Sequence, residues 1–210
     1  MPASLPDSRP CHCAASADAA NSHGDRLQFA RRALLKGGLA AGLVLPFTET
    51  ALPADPRGAR PQPGDVFVYV RGDKQGTVIA PADVPAGGVP LFAWPMEPST
   101  KTIRDGSRLN QILLVRLDAD ALDDQTRERA ADGVVAYSAN CTHALCPVTG
   151  WKAELQILWC PCHNSEFDPR NGGQVVFGPA PRPLPALPLK IADGALAAAG
   201  TFLGRVGHST

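Results

Sequence analysis

The sequence predicts one antiparallel all-β domain preceded by a leader that is not part of the fold. Three observations carry this. Gly (20) and Pro (21) make nearly a fifth of the 210 residues, turn chemistry on a scale that argues against a helical bundle. From Pro61 onward the chain breaks into short β-type runs separated by turn residues. No stretch reaches the roughly 18 consecutive apolar residues that mark a membrane-spanning helix.

Residues 1–30 are small, polar and rich in Ala and Ser. Arg31-Arg32-Ala33-Leu34-Leu35-Lys36 follows, then a weakly apolar Gly/Ala/Leu run from Gly37 to Phe47 and a Pro-rich exit. Paired arginines ahead of a mild apolar stretch resemble a twin-arginine export signal, assigned here to residues 1–54. No Ala-x-Ala triplet lies between Leu45 and Gly58, so cleavage near Ala54 and retention as a weak N-terminal anchor both stay open. Cys11-His12-Cys13 has a chelator-like spacing but precedes the arginines and is given no role.

Residues 61–210 form the domain. Val66–Val70, Val89–Ala93, Gln111–Leu117, Gly133–Ser138 and Leu187–Ile191 are the strand candidates, rich in β-branched and apolar residues. Asp118 to Ala131 reads as a helical patch without a strong apolar face, hence a solvated excursion. The 20 Lys and Arg balance 20 Asp and Glu, at a pI near 6.9, which gives no electrostatic reason to expect nucleic acid or an anionic membrane surface.

The chemistry lies in two short clusters, Cys141-Thr142-His143-Ala144-Leu145-Cys146 and Cys160-Pro161-Cys162-His163-Asn164-Ser165. Each follows a strand-like run, Val134–Ser138 and Leu155–Trp159, so both sit on loops leaving a sheet and can present ligands to one site. Structural zinc takes four Cys or His ligands and would leave two of these residues unexplained; a zinc module is the non-redox alternative.

The two loops closely resemble the Rieske iron–sulfur family, whose motifs read Cys-x-His-x-x-Cys and Cys-x-x-His; the resemblance runs from about Gly133 to Leu189. It implies an antiparallel β-barrel or sandwich with a small cluster-binding subdomain of two loops, at about 139–182. It implies a 2Fe-2S cluster held by Cys141 and Cys160 on one iron and by His143 and His163 on the other. Cys146 and Cys162 match the positions of an inter-loop disulfide in one branch of the family. Such a bond persists in an oxidising compartment, in keeping with periplasmic export of the folded, cluster-loaded chain through the twin-arginine translocase.

Further residues follow from the same resemblance. Gly178-Pro179-Ala180-Pro181 corresponds to a proline loop covering the cluster, where Pro179 and Pro181 stiffen the backbone. Phe167-Asp168-Pro169 with Gly172-Gly173 reads as a turn returning the second loop to the sheet. Leu145 and Asn164 stand where the family commonly has Gly, and Phe167 stands where many quinol-oxidising relatives have Tyr. Ser165 keeps its hydroxyl. Ser165 and Phe167, with the two prolines, are therefore the candidate tuners of the cluster's potential.

Two neutral imidazoles in place of two thiolates make their iron easier to reduce, giving potentials of about −150 to +300 mV against about −400 mV for all-Cys ferredoxins. No nucleophile–base pair or phosphate-cradling loop is evident, so the expected role is an electron-transfer subunit with no substrate site of its own. The partner is a larger redox subunit. A molybdopterin oxidase of the arsenite oxidase type is preferred on the weak apolar stretch, the Ser165-Glu166-Phe167-Asp168 continuation and the trailing Gly204-Arg205. The alternative is the iron–sulfur subunit of a quinol–cytochrome c reductase, with cytochrome b and cytochrome c or quinol as electron partners.

Overall fold

The computed structural model describes residues 55–207, so the twin-arginine segment with Arg31 and Arg32, and Cys11 and Cys13, lie outside the described residues. Among the described residues no helix is long and apolar enough to cross a membrane. Eleven strands among the described residues form two antiparallel sheets. The larger contains β1 (Val66–Tyr69), β2 (Leu91–Glu97), β3 (Thr102–Ile103), β4 (Ile112–Arg116), β5 (Val134–Ser138), β10 (Leu189–Ala192) and β11 (Ala195–Ala198). Its order is β10-β11-β1-β2-β4-β5, with β3 paired to β2. The smaller holds β6 (Gly150–Lys152), β7 (Ile157–Cys160), β8 (Ser165–Asp168) and β9 (Gln174–Phe177) in sequence order.

The large sheet curls towards closure. Beyond β5, the Ser138 amide donates to the Pro185 carbonyl and the Leu187 amide to Ala136, so the segment that feeds β10 also lies against β5. Joining the two ends in this way removes most of the open edge. The expected β-barrel or sandwich class is therefore realised as a half-barrel packed on a second small sheet.

β4 and β5 read as near-continuous apolar runs because both their faces are covered. Ile112, Leu114, Val134 and Ala136 point into the curl with Phe67, Ile79, Leu189 and Leu196. Leu113, Val115, Val135 and Tyr137 point the other way, into a second core with Leu158, Phe167 and Leu184. That second core is what joins the small sheet to the large one.

Sequence expectations and structure differ in instructive places. β2 continues through Pro95 to Glu97, since Pro95 sits opposite Phe67 and its carbonyl accepts from the Arg104 amide. The helical patch breaks into a single turn at Ala119–Ala121 and the six-residue α1 (Asp124–Arg129). Asp118 and Asp123 each accept a backbone N–H at the start of one of these pieces, so each starts its own cap. Phe167 and Asp168 are not part of a turn: they belong to β8, where Phe167 faces Leu158, and the turn proper is Pro169–Gly173. The two Cys/His loops leave two different sheets, and the cluster subdomain includes four strands besides its two loops.

Candidate metal centre

The first loop leaves β5 and returns to β6; the second is the hairpin connection between β7 and β8. Both close with the same backbone device. The Leu145 amide donates to the Cys141 carbonyl, and the Asn164 amide donates to the Cys160 carbonyl, each four residues on. Each closing residue lies in the left-handed region, Leu145 at φ 62° and Asn164 at φ 60°. Asn tolerates that region, and the Asn164 Oδ1 also accepts from the Trp159 indole at 3.3 Å. Leu is branched and bulky, so its left-handed backbone costs about 1–2 kcal/mol. These are the two positions where the family commonly has Gly.

The loops set the four expected ligands as two pairs, Cys160 beside Cys141 and His143 beside His163. Cys141 and Cys160 are free thiols, each 1% exposed, and both belong to the core between the sheets. The imidazoles sit at the outer end, His143 half-buried and His163 exposed. Their Nδ1 atoms approach to 3.2 Å with the rings nearly perpendicular, at 86°. Two nitrogens at that separation can both reach one metal ion at about 2.1 Å. Burial pushes the Cys160 thiol up; backbone N–H groups of Cys162 and His163 aimed at it act the other way, and adjacent Cys141 adds to the rise. Those N–H groups are the donors that favour the sulfur in its thiolate form, the form that binds metal.

Cys146 and Cys162 are disulfide-bonded, with their Cα atoms 6.4 Å apart. The bond ties the first loop to the second. Removing two thiols in this way leaves a Cys2His2 set, which by composition alone could also hold one zinc ion. A neighbouring atom argues against that. The Ser165 Oγ is fully buried, has no hydrogen-bond partner, and belongs to the residue directly opposite Cys160 in the β7–β8 ladder. A buried hydroxyl left unpaired costs about 1–3 kcal/mol. A 2Fe-2S cluster supplies bridging sulfides as acceptors beside Cys160 in addition to the ligand thiolates, whereas one zinc ion offers the ligand thiolates alone. The residues present fit a 2Fe-2S cluster.

Cys160, Leu158, Ser165 and Phe167 share one face of the small sheet, so Phe167 is a diagonal neighbour of Cys160 and is wholly buried. The proline loop crosses the same end of the molecule. Its inward residue is Ala180, at 9% exposure, while Pro179 and Pro181 are exposed. Two prolines in four residues stiffen the backbone of this loop. Gly178 holds the loop close: a Cβ there would lie 2.6 Å from the Asn164 carbonyl oxygen and from the Ser165 Cα.

Thr142, which the sequence reading passed over, fastens this cover. It is buried between two ligand residues, and its hydroxyl donates to the Arg182 carbonyl at 2.6 Å. The guanidinium of Arg182 in turn donates to the carbonyls of Arg205 and Gly207. Nothing in the motif spacing marks this contact, because its acceptor is a backbone atom forty residues away.

Comparison with known proteins agrees with this geometry. The family model for the Rieske [2Fe-2S] domain matches residues 107–188. The chain is 35% identical over 133 residues to the cytochrome bc1 complex Rieske iron–sulfur subunit of Streptomyces lividans, covering 61% of this chain and 78% of that protein. Against the corresponding subunit of Streptomyces coelicolor the identity is again 35% over 133 residues, but the match spans only 37% of that longer protein. A Haloferax mediterranei protein named "Putative respiratory nitrate reductase subunit Rieske" is 44% identical over 106 residues, covering 50% of this chain and 47% of that one.

Proposed function

This chain belongs to the Rieske family of 2Fe-2S electron-transfer proteins, and from that premise we propose that it is the iron–sulfur subunit of a cytochrome bc1-type quinol–cytochrome c reductase. The match to the Streptomyces lividans subunit, which covers 78% of that protein, carries the proposal. The molybdenum-oxidase reading preferred on short motifs gives way to it. A second reading keeps one specific support: the 44% identity to the Haloferax protein favours a Rieske subunit serving a different respiratory reductase.

When bound, the cluster supplies one-electron transfer. The chain's own residues shape that chemistry. Cys141 and Cys160 hold thiolate charge at the buried end, where Cys160 accepts backbone N–H groups. His143 and His163 stand at the exposed end and would hold their iron nearest to solvent, where an electron partner could approach. Thr142 and Gly178 hold the proline loop against the second loop.

We further propose that the chain is exported folded by the twin-arginine route and works in the periplasm. Arg31-Arg32 and the Cys146–Cys162 disulfide support this, since such a bond persists in an oxidising compartment. Replacing Arg31 and Arg32 together by Lys should leave the protein in the cytoplasmic fraction. Tagged full-length protein drawn from native membranes should bring cytochrome b and a c-type haem protein with it. Recovery of a large molybdopterin subunit in their place would overturn the bc1 assignment in favour of the molybdenum-oxidase reading.

A further inference from the structure

The disulfide has a close neighbour that the electron-transfer role does not explain. The sulfurs of Cys146, Cys160 and Cys162 all lie within 4.8 Å of one another. Two of the three are bonded to each other, and the third, Cys160, is a free thiol. A thiolate beside a disulfide is the reacting pair of thiol–disulfide exchange. Ligation by iron removes Cys160 from that chemistry, because its sulfur lone pair is then engaged.

We propose that cluster binding protects the loop-bridging disulfide from Cys160, and that in the cluster-free chain Cys160 attacks the Cys146–Cys162 bond and shuffles it. Attack at the Cys146 sulfur forms Cys146–Cys160, breaks Cys146–Cys162, and releases Cys162 as the thiolate. Attack at the Cys162 sulfur forms Cys160–Cys162 and releases Cys146. The proton lost by Cys160 passes to the released sulfur, so one disulfide is exchanged for another with no oxidant or reductant. Either product takes Cys160 out of the ligand set and blocks reloading. Once the native disulfide has closed, cluster insertion therefore has to outrun the exchange.

The exchange is slow on geometric grounds as well as chemical ones. Cys160 is 1% exposed and part of the core between the sheets, so attack waits on local opening there. Disulfide rearrangements without a catalyst take minutes to hours.

The test uses the full chain, purified with its cluster under non-reducing conditions, and the same protein stripped of iron with a chelator. Both are held at about pH 8.5, the ordinary thiol pKa, then alkylated and mapped by peptide mass spectrometry. In the loaded protein Cys146 and Cys162 should stay unalkylated. In the stripped protein, alkylation of Cys146 or Cys162 should rise several-fold over hours, with a matching loss at Cys160 and of the capacity to regain iron. Stripped Cys160→Ser should keep the original bridge. The proposal is overturned if stripped wild type keeps Cys146–Cys162 alone, or if Cys160→Ser shuffles as fast. A mixture drawing equally on Cys11, Cys13 and Cys141 also overturns it, since that is scrambling of an unfolded chain. None of these outcomes depends on which redox complex the protein serves.

Discussion

Strands β4 and β5 of the large sheet bury both faces, with Ile112, Leu113, Leu114 and Val115 all at 0% exposure, whereas the outer strand β9 of the small sheet exposes Val176 and Phe177 at 53% and 61%. The large sheet is held by ordinary apolar packing on two sides. The small sheet has one packed face, and makes up the difference with a disulfide, a glycine-dependent close approach at Gly178 and a hydroxyl tie from Thr142. The half that holds the cluster is thus the half with less core of its own. Perturbations should separate the two: changes at the loops should unload the site while the large sheet stays folded.

The largest effect is expected at the ligands. Cys141→Ser or His163→Ala should bring iron content to background and abolish the low-temperature EPR signal, with no nearby residue to take the vacated place. Far-ultraviolet circular dichroism of the same variants should retain the β signal of the large sheet. A native EPR signal in either variant would break the ligand assignment.

Next comes the loop bridge. Cys146→Ser combined with Cys162→Ser removes a constraint worth about 2–4 kcal/mol in typical cases. The half-life of the bound cluster on heating should fall sharply. An unchanged half-life would mean that the packed face alone holds the small sheet, and the contrast between the sheets would disappear.

Two glycines give a matched pair. Gly178 and Gly172 both have positive φ, 89° and 58°, but a Cβ at Gly172 meets nothing within 4 Å. Gly172→Ala should cost only the left-handed backbone, about 1 kcal/mol. Gly178→Ala adds a collision with Asn164 and Ser165 and should cost about 3 kcal/mol, near the top of the usual single-substitution range. Denaturant melts of the loaded proteins, followed at the cluster's visible absorption, measure the difference; equal losses would mean that the proline loop does not bear on the second loop.

The smallest effects are on the potential. A donor aimed at ligand sulfur favours the reduced, more negative form and raises the potential. Ser165→Ala should lower it, and Phe167→Tyr should raise it, each by about 40 mV for a differential near 1 kcal/mol, on a scale of about 59 mV per tenfold change. Phe167 is wholly buried on the Cys160 face, so the added hydroxyl has sulfur within its neighbourhood. Protein-film voltammetry reads both shifts. No change for Ser165→Ala would mean that its unpaired Oγ finds a partner other than the cluster.

Much of the site was legible in the sequence, and the reason is chemical. Cys141, His143, Cys160 and His163 carry metal-binding groups at short spacings within their loops, and the structure pairs His143 with His163 and sets Cys160 beside Cys141. The long apolar strands were legible too, because β4 and β5 write their burial into consecutive residues. The small sheet was not. β6, β8 and β9 are three or four residues long, and β11 is Ala-Leu-Ala-Ala; such segments become strands only because a partner is present. Phe167 looked like turn residue beside Asp168 and Pro169 until Leu158 was placed opposite it.

Ala180 makes the same point from the other side. Its proline neighbours are the visible feature of the sequence, yet the backbone turns Ala180 inward and both prolines outward. Thr142 and Gly178 act on atoms of the Arg182, Asn164 and Ser165 backbones, and backbone atoms leave no mark on residue spelling. By itself the sequence determined the ligand types, their order, and a β-rich chain to hold them, since those depend on side-chain chemistry and local pattern. Which thiols pair follows from the sequence only through the family resemblance; the tertiary structure supplies the physical reason. A disulfide needs Cα atoms within about 4.4–6.8 Å, and nothing in the spacing of four cysteines within 22 positions fixes those distances. The fold sets Cys146 and Cys162 6.4 Å apart and leaves Cys141 and Cys160 buried and free, because one loop comes from each sheet and the core between the sheets fixes where they meet.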